Sequence, residues 1–168
     1  MCPEDALLSA VRYTHPDHHW LPTPISQAYR LDVDPPDDAI ETAQGTIWLH
    51  EGILIERTKA VRSTVEMAEE AFNVYRDLGE GSLRPFLFDI RNFLGSSPKA
   101  VILAISRVKS TFSAVAALID PESASGLRPY LEAIGRLLYP VHFFTDEEEA
   151  LAWLRGFLPP ESSETTRP

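Results

Sequence analysis

Apolar and polar residues along the chain follow two periods, and the switches between them mark out the elements. Thr46-Ile47-Trp48-Leu49 and Ile53-Leu54-Ile55-Glu56-Arg57 are short β-prone runs separated by His50-Glu51-Gly52. The separator has tight-turn composition, with Gly52 free to take positive φ, so the two runs predict a β-hairpin. Ser63-Thr64-Val65-Glu66 has the form of a capping box, in which Ser63 accepts from a free backbone N–H and Glu66 reaches back to the cap. Val65, Met67, Ala68, Ala71, Phe72, Val74, Tyr75 and Leu78 follow at helical spacing and Gly79 closes the run, which predicts a helix near 63–78.

The next stretch, Arg84-Pro85-Phe86-Leu87-Phe88-Asp89-Ile90, is a continuous apolar run and predicts a buried strand. Ser97 before Pro98 is an N-cap followed by proline at the first helical position. Val101, Ile102, Ile105 and Val108 then supply the apolar stripe of a second helix. Ala114–Ile119 predicts another buried strand, and Glu122–Leu138 has a helical pattern interrupted by Gly126 and Pro129. Val141–Phe144 predicts a short strand. Thr145-Asp146-Glu147-Glu148 is a second capping box, whose acids suit the positive end of a helix. Ala150, Leu151, Trp153, Leu154, Phe157 and Leu158 give that last helix a wide apolar face.

The order is therefore β-β-α-β-α-β-α-β-α. Strands alternating with helices imply right-handed crossovers, so the fold class is α/β, with a mixed, mostly parallel sheet, helices packed against it, and the hairpin at an antiparallel edge. The domain spans 45–158. Before it, 1–44 contains six prolines and the acidic cluster Asp32, Asp34, Asp37, Asp38 and Glu41, and reads as a disordered acidic Pro/His-rich arm. Only Glu4–Arg12 there has the pattern of a short helix. After it, 159–168 reads as a flexible tail.

Charge narrows the partners. The net charge is −10, and the arm alone, with two basic and eight acidic residues, carries −6 of it. A nearly balanced domain with an acidic arm is a poor match for nucleic acid, which needs clustered Lys and Arg, and for anionic membrane surfaces. No apolar run is long enough to span a bilayer. An acidic start without a long apolar stretch argues against a signal peptide. A single cysteine, Cys2, excludes an internal disulfide and fits a reducing, cytoplasmic setting.

This order of elements resembles the STAS (sulfate transporter and anti-sigma factor antagonist) or SpoIIAA-like group over residues 44–158. The run from Phe143 to Leu154 is similar to the closing strand and helix of small uncharacterised bacterial STAS-like proteins. In anti-sigma factor antagonists the resemblance implies a phosphorylatable serine at the start of the helix that follows an Asp-ended strand, with a partner kinase switching binding. The matching positions are Ser96 and Ser97, after Asp89; Gly95 and Pro98 flank the pair where the family pattern has Asp and Gly.

The residues themselves offer further readings. Ser96 and Ser97 sit where free helix N–H groups favour negative charge, although capping alone also selects Ser before Pro. From Ile90 to Ile119 there is no acid, while Arg91, Lys99, Arg107 and Lys109 are present. That stretch suits a phosphate or an acidic partner, or is simply a solvated basic surface. Asp89 could face a partner, or bond the backbone of its own loop. His15, His18 and His19 with Asp17 have the chemistry of metal ligands, but they lie in a proline-rich arm without a scaffold, so no metal site is expected. Trp48, Trp153, Phe143, Phe144 and Phe157 either line a ligand cavity or fill the core, as aromatics at such spacings usually do. No GxGxxG, GxxxxGK[ST], HExxH, CxxC or GxSxG motif is present.

The expectation is a cytoplasmic, non-enzymatic interaction module without cofactors. It would bind a protein partner, or another copy, through the loop containing Ser96, Ser97, Asp89, Arg91 and Lys99. Two alternatives are a small-molecule or lipid carrier, which needs an apolar pocket between sheet and helices, and a hydrolase or transferase built on Asp89 with His142 or His50.

Overall fold

The computed structural model describes residues 33–122 and 139–159. Six strands form one sheet in the order in which the chain makes them: β1 (Ile40–Glu41), β2 (Gly45–His50), β3 (Ile53–Thr58), β4 (Arg84–Asp89), β5 (Phe112–Leu118) and β6 (Val141–Phe144). β1–β2 and β2–β3 are antiparallel, and β3 to β6 are parallel. The α/β expectation is met, with a hairpin at the antiparallel side. Glu51 (φ 49) and Gly52 (φ 80) make its turn, where the missing Gly52 side chain relieves the left-handed backbone.

The helices are α1 (Val65–Leu78), α2 (Pro98–Thr111) and α3 (Glu147–Arg155). The strands have apolar residues on both faces, as parallel sheets require, and each face has its own cluster. Ile47, Leu54, Phe86 and Val115 meet Ala71 and Tyr75 of α1. Trp48, Ile53, Ile55, Leu87, Ala114, Ala116 and Leu118 meet Ala150, Leu151 and Leu154 of α3. Of the aromatic residues, Trp48 is buried in the core, and Phe144, Trp153 and Phe157, partly buried, pack against the α3 cluster.

Three expectations are corrected. The domain begins before residue 45: β1 pairs with β2, Thr42 and Gln44 are buried, and Val33 and Ala39 pack on the α3 cluster. The prolines stop long strands there but leave room for two paired residues. α1 starts at Val65 with Thr64 as its cap, accepting from Met67 N–H at 3.4 Å, because the Ser63 hydroxyl is turned into the core. α3 is capped by Asp146, which accepts from Glu149 N–H at 2.9 Å, and not by Thr145. The expected short helix at Glu4–Arg12, the histidine cluster, the helical stretch within 123–138 and the tail after 159 lie outside the described residues. Among the described residues no helix is long and apolar enough to cross a membrane.

Candidate functional site

In parallel sheets, loops at the carboxyl ends of the strands gather the chemistry. Here that edge collects the loop after β3 (59–64), the loop after β4 (90–97) and, because β2 runs the other way, the turn before Gly45. Ser63 ties the loops together. Its N–H donates to Gly95 C=O at 2.8 Å, and its C=O accepts from Ser97 N–H at 2.9 Å. Leu94 N–H also donates to Val61 C=O at 3.1 Å. The 90–97 loop is therefore pinned to the entry of α1 at a strand tip.

The five expected residues divide in space. Asp89 and Arg91 turn inward, with side chains only 3% and 8% exposed. The Arg91 guanidinium donates to both Asp89 oxygens at 2.9 Å, and Arg91 N–H donates to Oδ1 at 3.2 Å. Asp89 thus closes its own loop and does not face a partner, since a bidentate ion pair leaves little of either group to offer outward. Ser97 accepts from Ala100 N–H at 3.3 Å as the cap of α2. Ser96 is half-buried, and Lys99 is exposed.

The acid-free run is not acid-free in space. Asp89 neutralises Arg91, Glu69 lies 4.0 Å from Arg107, and Lys99 is close enough to Glu66 to help hold that carboxyl below its ordinary value, behind the larger contributions of its bonds to Thr64 and to its own backbone. Arg107 also lies over the Phe72 ring at 5.8 Å. The charge contrast along the sequence is thus largely cancelled by acids from other segments. What stays exposed on α2 is mixed: Pro98, Lys99, Ile102, Ser106, Lys109 and Ser110. α2 touches α1 more than the sheet beneath it, and Ala100 is its one buried residue. Ile102 is 59% exposed and Leu94 in the preceding loop 65%.

A second constellation, missed from the sequence, lies beneath the same loops. Glu56 on β3 is fully buried. Tyr75 donates to its Oε2 through a short hydrogen bond, and the Gln44 amide donates to Oε1 at 3.1 Å and Oε2 at 3.3 Å. Ser63 Oγ in turn donates to Gln44 Oε1 at 2.5 Å. Burial pushes the Glu56 carboxyl up to about 7 against the opposing pull of these donors. The Tyr75 hydroxyl is pushed well above its ordinary value, first by burial and then by Glu56. A signal existed in the sequence, since Glu56 breaks an otherwise apolar strand run, but nothing in spacing shows that Gln44 and Tyr75 converge on it.

Among the described residues the geometry does not bring Asp89 together with His142 or His50. Asp89 is occupied by Arg91, His142 packs on Phe144 and Trp153, two strands from Asp89, and His50 lies at the other end of the sheet. Rings of Phe72, Tyr75, Phe86 and Phe112 fill the space between the sheet and α1. Two clefts of about 320 and 220 Å³ lie elsewhere, one between the C-terminal ends of α1 and α2 and one between Val33 and α3. Among the described residues no cluster of three metal-ligating side chains occurs.

The family described as "Domain of unknown function (DUF7793)" matches residues 47–158. No curated protein matches the chain. Among solved structures, the chain is similar to an uncharacterised protein of the DUF3478 family with a SpoIIAA-like fold from Shewanella loihica PV-4. The identity is 22%, the match covers 64% of this chain and 90% of that one, and the TM-score is 0.47.

Proposed function

The chain belongs to the DUF7793 family, a domain of unknown function, so its role must be read from its own surface, and we propose that it is a cytoplasmic, non-enzymatic protein-interaction module. The partner docks on the outward side of the 90–97 loop and of α2. One observation carries this reading: α2 is built with an apolar stripe yet buries only Ala100 and leaves Ile102 more than half exposed, as is Leu94 in the loop before it. Large apolar side chains left exposed mark interaction surfaces. A pinned loop backbone lowers the ordering cost of binding.

Phosphorylation is part of the proposal. Ser97 is committed to capping, whereas Ser96 has no such bond and is half-buried beside the open patch. A phosphate there adds about −1.5 to −2 charges next to apolar side chains, which opposes docking of an apolar partner. Photo-crosslinking from position 102 in host cells, followed by mass spectrometry, identifies the partner. Affinity is then measured with purified components. The Leu94→Asp/Ile102→Asp variant is expected to bind at least tenfold more weakly with unchanged unfolding, and equal affinity overturns the reading. Absence of phosphate on Ser96 or Ser97 after incubation with the host's anti-sigma-type kinases removes the switch and leaves the module.

A further inference from the structure

A carboxylate placed in a core is usually paired with a cation, because ionising it there is otherwise costly. Glu56 is not so paired. The groups facing it are Tyr75 from α1, Gln44 from the turn before β2, Ile47 from β2 and Phe88 from β4. Charged groups stand nearby: Asp89, next after Phe88 on β4, is buried in its pair with Arg91, the Glu70 carboxylate accepts from Ala43 N–H at 3.2 Å, and Lys59 and Glu41 form an exposed pair at 2.9 Å. Three donated hydrogen bonds are what stabilise the ionised form.

These bonds continue as a chain. Glu56 receives from Gln44, Gln44 receives from Ser63, and Ser63 Oγ lies a further 3.3 Å from Thr64 C=O. An amide carries a donor and an acceptor of nearly equal size, so Gln44 can turn over without displacing its neighbours. We propose that Glu56, Gln44 and Ser63 form a two-state hydrogen-bond relay, in which a proton on Glu56 reverses the direction of every link and alters the anchor of the 94–97 loop.

The proton balance closes. A proton from solvent adds to Glu56 Oε1, which then donates to Gln44 Oε1. The turned amide donates through Nε2 to Ser63 Oγ, and the Ser63 O–H, keeping its hydrogen, turns to donate to Thr64 C=O. Tyr75 donates to Oε2 in both states, so each polar atom keeps a partner. The reversal ends at the right place to be felt outside. Ser63 holds Gly95 and Ser97 through its backbone, and Thr64 caps α1. The relay itself stands apart from the docking reading; only its effect on a partner rests on that reading.

The test is a pH titration of the isotope-labelled full chain by NMR from pH 5.5 to 8.5, with no partner present. The expected result is one shared midpoint for the Glu56 side-chain carboxyl carbon and the amides of Ser63, Gly95 and Ser97. In Gln44→Leu the Glu56 carbon still titrates and the three amides become flat. Should Gln44→Leu not fold, Ser63→Ala breaks the last link and is expected to flatten Gly95 and Ser97. Amides that do not move in the wild type, or that keep moving in either variant, overturn the relay. A silent relay leaves the docking surface untouched, and a failed docking assay leaves the relay intact.

Discussion

Folding around a carboxylate with no cation beside it costs free energy whenever that group is ionised, and Glu56 makes the consequence measurable. Its folded value, about 7, lies above the ordinary 4.5. The native state therefore keeps a proton that the unfolded chain releases. The stabilising contribution is complete below about pH 4.5 and is lost as pH rises through 7. Glu56→Gln should remove that slope. Urea unfolding at pH 5 and pH 8 should show wild type losing on the order of 3 kcal/mol more than the variant between the two. Equal losses would show that Glu56 does not titrate in the folded state. Asp89 and Arg91 present the opposite case, a buried ion pair whose value lies in being complete. Asp89→Ala takes the bidentate carboxylate away from the buried guanidinium and should cost about 3–5 kcal/mol. The Asp89→Ala/Arg91→Leu double variant should recover part of that, as read from a double-mutant cycle. Neither setting was visible in the sequence: Asp89 after an apolar strand showed a loop-closing residue, but the partner two positions on reads as one more surface arginine.

Elements were more legible than residues, because each announces itself by period and punctuation. The hairpin, α1, β4, α2, β5, β6 and α3 all lie where apolar spacing and capping residues place them, with ends displaced by a residue or two. β1 was not legible, since two residues among prolines carry no period. One cap and one close backbone approach give predictions at this scale. Ser97→Ala should lower stability by about 1 kcal/mol through loss of the bond to Ala100 N–H, measured by thermal unfolding. Gly45 begins β2 against the backbone of β3, and a Cβ there would meet Arg57 O at 2.4 Å. Gly45→Ala should therefore cost roughly 1–3 kcal/mol by forcing the two strands apart, whereas an alanine at Gly81, with nothing within 4 Å but a φ of +71, should cost less.

For the whole molecule, composition located the balanced domain and the acidic leading segment, but not their true junction. Val33, Thr42 and Gln44 belong to the fold: Val33 N–H donates to Glu147 at 3.3 Å, and Gln44 supplies Glu56 with its donor. A chain starting at residue 45 should unfold at a lower urea concentration than one starting at residue 33, and equal midpoints would return those residues to the arm. The open side of α2 was only half legible, since a stripe of apolar residues shows that a helix has something to cover, not that it leaves it bare. The strand order has a consequence for synthesis. Each strand finds its hydrogen-bonding neighbour in the one made just before it, so the sheet can assemble as the ribosome delivers it. One side stays uncovered until α3 is made, because Ala150, Leu151 and Leu154 come from that helix. Chains that terminate early should therefore be recovered in aggregates, with Trp48, Ile55 and Leu87 still facing water.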